Sequence, residues 1–134
     1  MSEFSLSTTR SEEMIDITGR VNGIVRQSKL KAGLCLVYTP HATAAVIVNE
    51  NWDRNICEDI LLSLSRMVPK HADYKHDKVD NNAAAHIKSA MLGPSETLTF
   101  KDGALVLGKW QAIMFCEFDG PRQERRIIVE LVGK

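Results

Sequence analysis

The stretch from Lys109 to Arg122, which reads KWQAIMFCEFDGPR, decides the fold of this chain. Its side chains alternate, which predicts one strand whose two faces carry two different sets of residues. One set is Gln111, Ile113, Phe115 and Glu117, and the other is Ala112, Met114, Cys116 and Phe118. The Asp119-Gly120-Pro121-Arg122 segment has the composition of a tight turn and returns the chain into a final strand, about Arg125 to Val132.

Working outward from this stretch, apolar periodicity predicts further strands and helices. A helix begins at Thr18 as N-cap, a long helix runs from Asn51 to Val68, and a third runs from Asn82 to Leu92 with Asn81 or Asn82 as its N-cap. The run Gly33–Tyr38 is continuously apolar, which is typical of a strand buried on both faces. The remaining strands are predicted at Phe4–Thr8, Met14–Ile17, Ala44–Val48 and Ser95–Phe100, the last turning at Lys101-Asp102-Gly103 into Ala104–Leu107. Strands at both ends and helices in the middle predict one layered α+β domain over residues 1–134.

Composition limits the classes of function. Lys and Arg number 17 and Asp and Glu number 17, so no global field draws the chain to nucleic acid or to anionic lipid. No apolar run approaches the roughly 20 residues that a membrane span needs, and the N-terminus lacks the features of a signal peptide. The three cysteines form no CxxC pair, which predicts buried, reduced thiols and a cytoplasmic location.

Three of the four histidines occupy positions that suit a site. His41 interrupts two apolar strands, His76 lies in a polar loop, and His86 lies beside the apolar face of the third helix. Three imidazoles are able to hold a tetrahedral metal and to leave a fourth position open. The alternative is that these histidines are structural or solvent-exposed, and spacing alone does not decide between the two.

Two further groups of polar residues are candidates. Polar side chains embedded in apolar segments form either a structural network or the wall of a site; here they are Thr39, Thr43, Asn49, Glu50 and Asp53. The second group is the Asp119–Arg122 turn with Arg125 and Arg126. An arginine on a rigid turn suits phosphate recognition, although the same residues also fit a plain turn and a solvated strand edge.

Taken together, these motifs resemble the YjbQ family, the proteins known as secondary thiamine-phosphate synthase enzymes. The matching residues keep their order over nearly the whole chain: Thr39–Ala45 with Asn49–Asn51 and Asp53, Tyr74–His76 with Asp80-Asn81, Ala85–Lys88 through Leu92–Ser95, Gly108–Gln111, and Glu117–Arg122.

The resemblance implies a mixed, mostly antiparallel sheet with helices packed on it and a homotrimer. It implies that His41, His76 and His86 hold a divalent metal, zinc being the expected one, and act in catalysis with Glu50. Thr43, Asn49, Asp53 and Arg122 are the expected substrate-binding residues. The implied activity is weak formation of thiamine phosphate from small phosphorylated substrates. The alternatives are a metal-dependent hydrolase and a non-catalytic trimer that binds a metal or a metabolite.

Overall fold

The computed structural model describes residues 1–134 as eight strands, three α-helices and a short 3-10 helix at Lys75–Lys78. The strands are β1 (Ser2–Leu6), β2 (Glu13–Asp16), β3 (Ala32–Tyr38), β4 (Ala44–Glu50), β5 (Ser95–Lys101), β6 (Ala104–Leu105), β7 (Gln111–Glu117) and β8 (Arg125–Gly133). The helices are α1 (Thr18–Ser28), α2 (Arg54–Met67) and α3 (Ala83–Leu92). The predicted elements are all present, with shifts of one to three residues at most ends.

The strands form two sheets in which every pairing is antiparallel. The five-stranded sheet has the order β1-β8-β3-β5-β6, and the three-stranded sheet has the order β2-β7-β4. The family resemblance implies a mixed sheet, but both sheets of this structure are purely antiparallel. The Lys101-Asp102-Gly103 turn forms as predicted, because Asp102 and Gly103 both adopt the positive φ that a two-residue hairpin loop requires.

The two sheets and two of the helices stack in three layers. The inner face of the five-stranded sheet packs on the three-stranded sheet and α1, and this core includes Val37, Val46, Phe115 and Ile127. The opposite face of the three-stranded sheet packs on α2 and α3 through residues such as Met114, Leu64 and Ala85. The three-stranded sheet is thus the middle layer, and the outer face of the five-stranded sheet has no helix over it.

This layering overturns the expectation that β3 is buried on both faces. Cys35 and Val37 are buried, but Leu34, Leu36 and Tyr38 on the other face are exposed. The strand that is buried on both faces is β7, every residue of which after Gln111 is buried. A continuous apolar run therefore identified a strand, but the layer to which that strand belongs depends on the tertiary packing.

Both predicted polar N-caps fail to cap their helices. The Thr18 hydroxyl accepts a hydrogen bond from the Ile113 N–H of β7, and Ile17 occupies the N-cap position of α1. Asn82 is at the N-cap position of α3, but the Ala83 N–H donates to the carboxylate of Asp77 instead. In each case a contact with a residue outside the helix takes the place of the predicted cap.

The three cysteines are free and buried, as predicted. Burial raises the pKa of Cys35 to about 11 and that of Cys116 to about 12, so these thiols stay protonated and unreactive. None of the helices is long and apolar enough to cross a membrane.

Candidate functional site

The Asp119–Arg122 turn leaves the end of β7 and carries the chain from the three-stranded sheet to the five-stranded sheet. Two hydrogen bonds fix it to the connection between β1 and β2: the Arg122 N–H donates to the Thr8 hydroxyl, and the Thr8 N–H donates to the Arg122 carbonyl, both at 2.8 Å. A Cβ at Gly120 would lie 2.1 Å from the Arg10 carbonyl oxygen. Only glycine allows this close approach, so the turn is held in one position.

A buried ion pair between Glu117 and Arg125 lies behind the turn. Glu117 has no exposed surface, and its carboxylate accepts hydrogen bonds from the Thr8 hydroxyl at 2.7 Å and from the Arg125 Nε at 2.9 Å. The Arg125 guanidinium also donates to the Thr43 hydroxyl at 2.9 Å. The polar groups satisfy one another fully, which is the condition under which charges remain buried.

His41 lies beside this pair, at the start of β8. Its Nε2 accepts a hydrogen bond of 2.9 Å from the Arg126 N–H, so the proton of the neutral ring is on Nδ1. Burial lowers the pKa of His41, and the positive charge of Arg125 lowers it further, while Glu117 acts in the opposite direction. The His41 imidazole is therefore neutral near pH 7.

A chain of hydrogen bonds connects the turn to the beginning of α3. The Asp119 carboxylate accepts from the Asn82 side-chain amide and from the Arg122 guanidinium, both at 2.9 Å. The Arg122 Nε also donates to the Asp119 carbonyl at 2.9 Å. Since these bonds use only part of the guanidinium and the side chain is half exposed, Arg122 keeps N–H donors free for a ligand.

His76 and His86 form a second part of the site, at the same end of α3. Their rings pack edge to face with centroids 4.8 Å apart. The Nε2 atom of His76 is shielded from solvent and has no hydrogen-bond partner, although the rest of the side chain is partly exposed, and the Asp80 carboxylate is 3.7 Å from it. At this distance the Asp80 carboxylate lies beside the His76 ring without forming a normal hydrogen bond to it.

The three histidines do not combine into a metal site within one chain. No group of three His, Cys, Asp or Glu side chains has the spacing to hold a metal ion. His41 also uses Nε2 to accept the Arg126 N–H, so only its Nδ1 is available to a ligand. Only His76 and His86 are in contact, so the single chain does not fit the implied three-histidine zinc site.

Three other predicted residues lie at the far end of β4. Ala44 pairs with Glu117, whereas Glu50 pairs with Gln111, so the seven residues of β4 separate Thr43 from Glu50 by about 20 Å. We call the Thr43–Glu117 side the turn end and the Glu50–Gln111 side the tryptophan end, because Trp52 and Trp110 pack edge to face there.

At the tryptophan end, the predicted residues Asp53 and Asn49 make local contacts. Asp53 caps α2 by accepting from the Asn55 N–H at 2.9 Å, and the Asn49 side chain accepts from the Glu50 N–H at 2.6 Å. Within one chain, therefore, the structure groups His41, Thr43 and Arg122 around one turn, but it does not bring Glu50, Asn49 or Asp53 to them.

At the turn end, sequence reasoning missed the roles of Thr8 and Asn82 and the burial of Glu117 with Arg125. Thr8 carried no signal, since it reads as the last residue of a strand. Glu117 and Arg125 are charged residues in strands. Because charged side chains in strands are usually expected to face solvent, the sequence did not indicate that these two form a buried ion pair. Asn82 appeared to be a helix cap, and only the contact of Asp77 with the Ala83 N–H leaves its side chain free to bind Asp119.

Fold and site together define a class: α+β proteins in which two antiparallel sheets and a helical layer surround a polar cluster at the strand ends. The family model for UPF0047 protein YjbQ-like proteins matches residues 2–134. The chain belongs to this YjbQ-like UPF0047 family.

Known proteins support the assignment over the whole chain. A UPF0047 protein of Archaeoglobus fulgidus is 47% identical over 128 residues, which cover 96% of this chain and 98% of the relative. YugU of Bacillus subtilis, also a UPF0047 protein, is 39% identical over 129 residues, 96% of each chain.

Solved structures share the fold. The crystal structure of a YbjQ-like protein of unknown function from Sulfolobus solfataricus superposes with a TM-score of 0.96 at 40% identity, over 99% of this chain and 96% of that one. An uncharacterised member of the family from Clostridium acetobutylicum gives 0.94 at 42% identity, over 98% of this chain and all of the other. The predicted α+β fold is therefore confirmed.

Proposed function

We propose that this protein is an enzyme that acts on small phosphorylated substrates at the turn end, with weak thiamine-phosphate synthase activity. In that reaction a pyrimidine diphosphate joins a thiazole phosphate, and the diphosphate leaves with the electron pair of the broken carbon–oxygen bond. The observation that carries the proposal is the Asn82–Asp119–Arg122 chain of hydrogen bonds, which links a half-exposed guanidinium to the beginning of α3, the helix that carries His86.

The charge requirement of this reaction fits Arg122. A leaving diphosphate gains negative charge, and the guanidinium is a fixed, permanent cation whose planar N–H groups match phosphate oxygens. Asp119 holds one edge of the guanidinium and leaves the rest of its donors toward solvent. Arg122 would therefore be positioned before the substrate binds, which avoids reorganisation in the transition state.

The histidine pair would supply proton transfer at the same place. His76 has a shielded Nε2 without a partner, a cost that a ligand hydroxyl or phosphate group would remove on binding. The Asp80 carboxylate lies 3.7 Å from that nitrogen, at the edge of the proposed position of the ligand. His41 has a different role in this proposal, since its hydrogen bond to the Arg126 N–H makes it part of the support of the turn.

The zinc expected on His41, His76 and His86 stays a prediction, and no step of the proposed reaction passes through it. If the prediction holds, protein purified without chelators contains stoichiometric divalent metal, and His86→Ala loses it. Protein that carries no metal under those conditions would rule out the zinc site and would leave the reaction proposed above unaffected.

We also propose that the chain assembles as a homotrimer through the outer face of the five-stranded sheet. Neighbouring residues on that face include Leu34 and Val132, which are 51% and 67% exposed, with Leu36 and Tyr38 further along β3. An apolar stripe without a covering layer is typical of an interface, and the family resemblance implies that copies of the chain occupy it. Light scattering should give the trimer mass for the wild type and a smaller mass for Leu36→Glu; a monomeric wild type contradicts the proposal.

The activity test uses purified protein with the pyrimidine diphosphate and the thiazole phosphate, and measures product by mass spectrometry. We expect Arg122→Ala to lower kcat/KM by about 10²-fold, because it removes one preorganised charge-stabilising donor. The matched control is Arg66→Ala, since Arg66 is an exposed arginine in the last turn of α2.

Two outcomes would contradict the proposal. Activity that survives both Arg122→Ala and His76→Ala would detach the reaction from the turn end. A wild type that binds the phosphorylated substrates but forms no product would favour the non-catalytic binding protein over the enzyme.

A further inference from the structure

Lys88 is a cation that the proposed reaction does not use. It lies on α3, and its side chain is only 4% exposed. Its ammonium group donates to the Glu12 carboxylate at 2.8 Å and to the Ser65 hydroxyl at 3.1 Å, and it is 5.9 Å from the centroid of the Phe118 ring. A buried ammonium is costly unless it has an anionic partner, so this position requires a carboxylate.

The carboxylate that meets this requirement is held at both of its oxygens. Glu12 Oε2 accepts from Lys88, and Glu12 Oε1 accepts from the Ser65 hydroxyl at 3.2 Å. The two donors come from two different helices, α3 and α2, which pack on the same sheet. Lys88 and Ser65 therefore form a fork of donors whose spacing matches the two oxygens of a carboxylate.

Glu12 itself lies outside the helices and strands. It lies in the connection between β1 and β2, and its side chain is 29% exposed. The side chain is therefore able to rotate into solvent while the two helical donors stay in place. The ammonium half of the ion pair is thus buried, whereas the carboxylate half is partly exposed.

The ion pair lies in the wall of a cavity of about 380 Å³, a volume suited to a small metabolite. Ala84, Ala85 and Phe118 supply its apolar surface, and Lys70 contributes a second cation. His76, His86 and Arg122 do not line this cavity, whereas Asp80, Asn82 and Asp119 do. The cavity therefore borders the turn end without being the same site.

We propose that this cavity binds a small organic carboxylate, and that Glu12 occupies the carboxylate position while the cavity is free of ligand. The ligand carboxylate replaces that of Glu12 on Lys88 and Ser65, and Glu12 turns to solvent. This inference is independent of the proposed synthase activity, because it rests on groups that the reaction does not involve.

The proposal predicts opposite effects for the two halves of one ion pair. Glu12→Gln removes an internal competitor, so it should tighten binding by about tenfold if Glu12 fills the position about nine-tenths of the time. Lys88→Met keeps the length and the packing of the side chain but removes the cation, so binding should be lost. A merely structural ion pair predicts no change in affinity for either variant.

The experiment is an NMR titration of the ¹⁵N-labelled full chain with succinate, whose second carboxylate suits Lys70, and separately with inorganic phosphate. The amide resonances of Ser65, Lys88 and Phe118 report binding, and Lys101→Met, at an exposed lysine in the β5–β6 hairpin, is the matched control. We expect succinate to shift these resonances in the wild type, more tightly in Glu12→Gln, not in Lys88→Met, and as in the wild type in Lys101→Met.

Three results would overturn the proposal: equal affinity for succinate in the wild type and Glu12→Gln, unchanged binding in Lys88→Met, or a response to phosphate alone. If Lys88→Met does not fold, Ser65→Ala in the Glu12→Gln background takes its place. It removes the donor to one carboxylate oxygen, and it should weaken succinate binding; unchanged binding in this double variant overturns the proposal equally.

Discussion

The candidate polar residues at the two ends of the β4–β7 strand pair make different kinds of contact. At the turn end, Glu117 and Arg125 are buried and bound to Thr8 and Thr43, which are distant in sequence. At the tryptophan end, Asp53 and Asn49 bond to backbone groups one or two residues away. Polar side chains that join distant segments fix the shape of a site, whereas local bonds only complete a helix or a strand.

The largest difference in stability between the two ends is expected when the buried cation at the turn end is removed. Arg125→Met leaves the Glu117 carboxylate buried without its countercharge, and we expect the free energy of unfolding to fall by about 3–5 kcal/mol. Urea denaturation at one protein concentration measures it, because self-association would otherwise change the apparent stability. The control is Glu50→Gln at the tryptophan end, which should stay within about 0.5 kcal/mol of the wild type. Equal losses in the two variants would show that the ends do not differ.

A smaller effect is expected from the helix cap at the tryptophan end. Asp53→Ala removes the acceptor for the Asn55 N–H, which should cost about 1 kcal/mol of stability. The proposed thiamine-phosphate synthase activity should be unchanged at a temperature where the variant is folded. Lost activity in folded Asp53→Ala would mean that the tryptophan end belongs to the site, for example through a neighbouring copy of the chain.

The smallest effect concerns protonation of His41. Because burial holds its pKa below the ordinary value of about 6.5, the unfolded chain binds this proton more readily than the folded chain does. The stabilisation is therefore complete above about pH 6.5 and is lost as the pH falls toward the folded-state pKa.

Urea midpoints at pH 7.5 and pH 5.5 test this prediction in the wild type and in His41→Gln. The glutamine amide oxygen is able to accept the Arg126 N–H, but it does not titrate. The variant should lose less stability on acidification than the wild type. An identical loss in the two proteins would show that His41 does not contribute, since His71, His76 and His86 remain in both.

Much of the fold could be predicted, because the strands and helices have clear periods in the sequence. The Asp102-Gly103 turn was predictable from residue type, since these residues tolerate the positive φ that the hairpin needs. The burial of β3 was not predictable, because an apolar run has the same sequence pattern whether both faces of the strand are covered or only one. The resemblance supplied the family, and the match over residues 2–134 confirms it.

The candidate site was predicted only in part, for reasons of distance along the chain. The structure brings His41, Thr43 and Arg122 together around one turn, although the sequence pattern placed them in three separate groups. Glu50 was grouped with Thr43 because it is close in sequence, yet an extended strand moves the chain by about 3.3 Å per residue and carries it to the far end of the sheet.

The sequence by itself determined the order of the elements, the turn chemistry and the family, because each of these depends on residues that are adjacent or regularly spaced. The tertiary structure decided which faces are covered, that Glu117 and Arg125 are buried together, that Asp77 rather than Asn82 caps α3, and that Glu12 reaches Lys88. Each of these contacts joins segments whose separation in space is set by sheet order and layer packing. Local residue patterns carry no information about that separation.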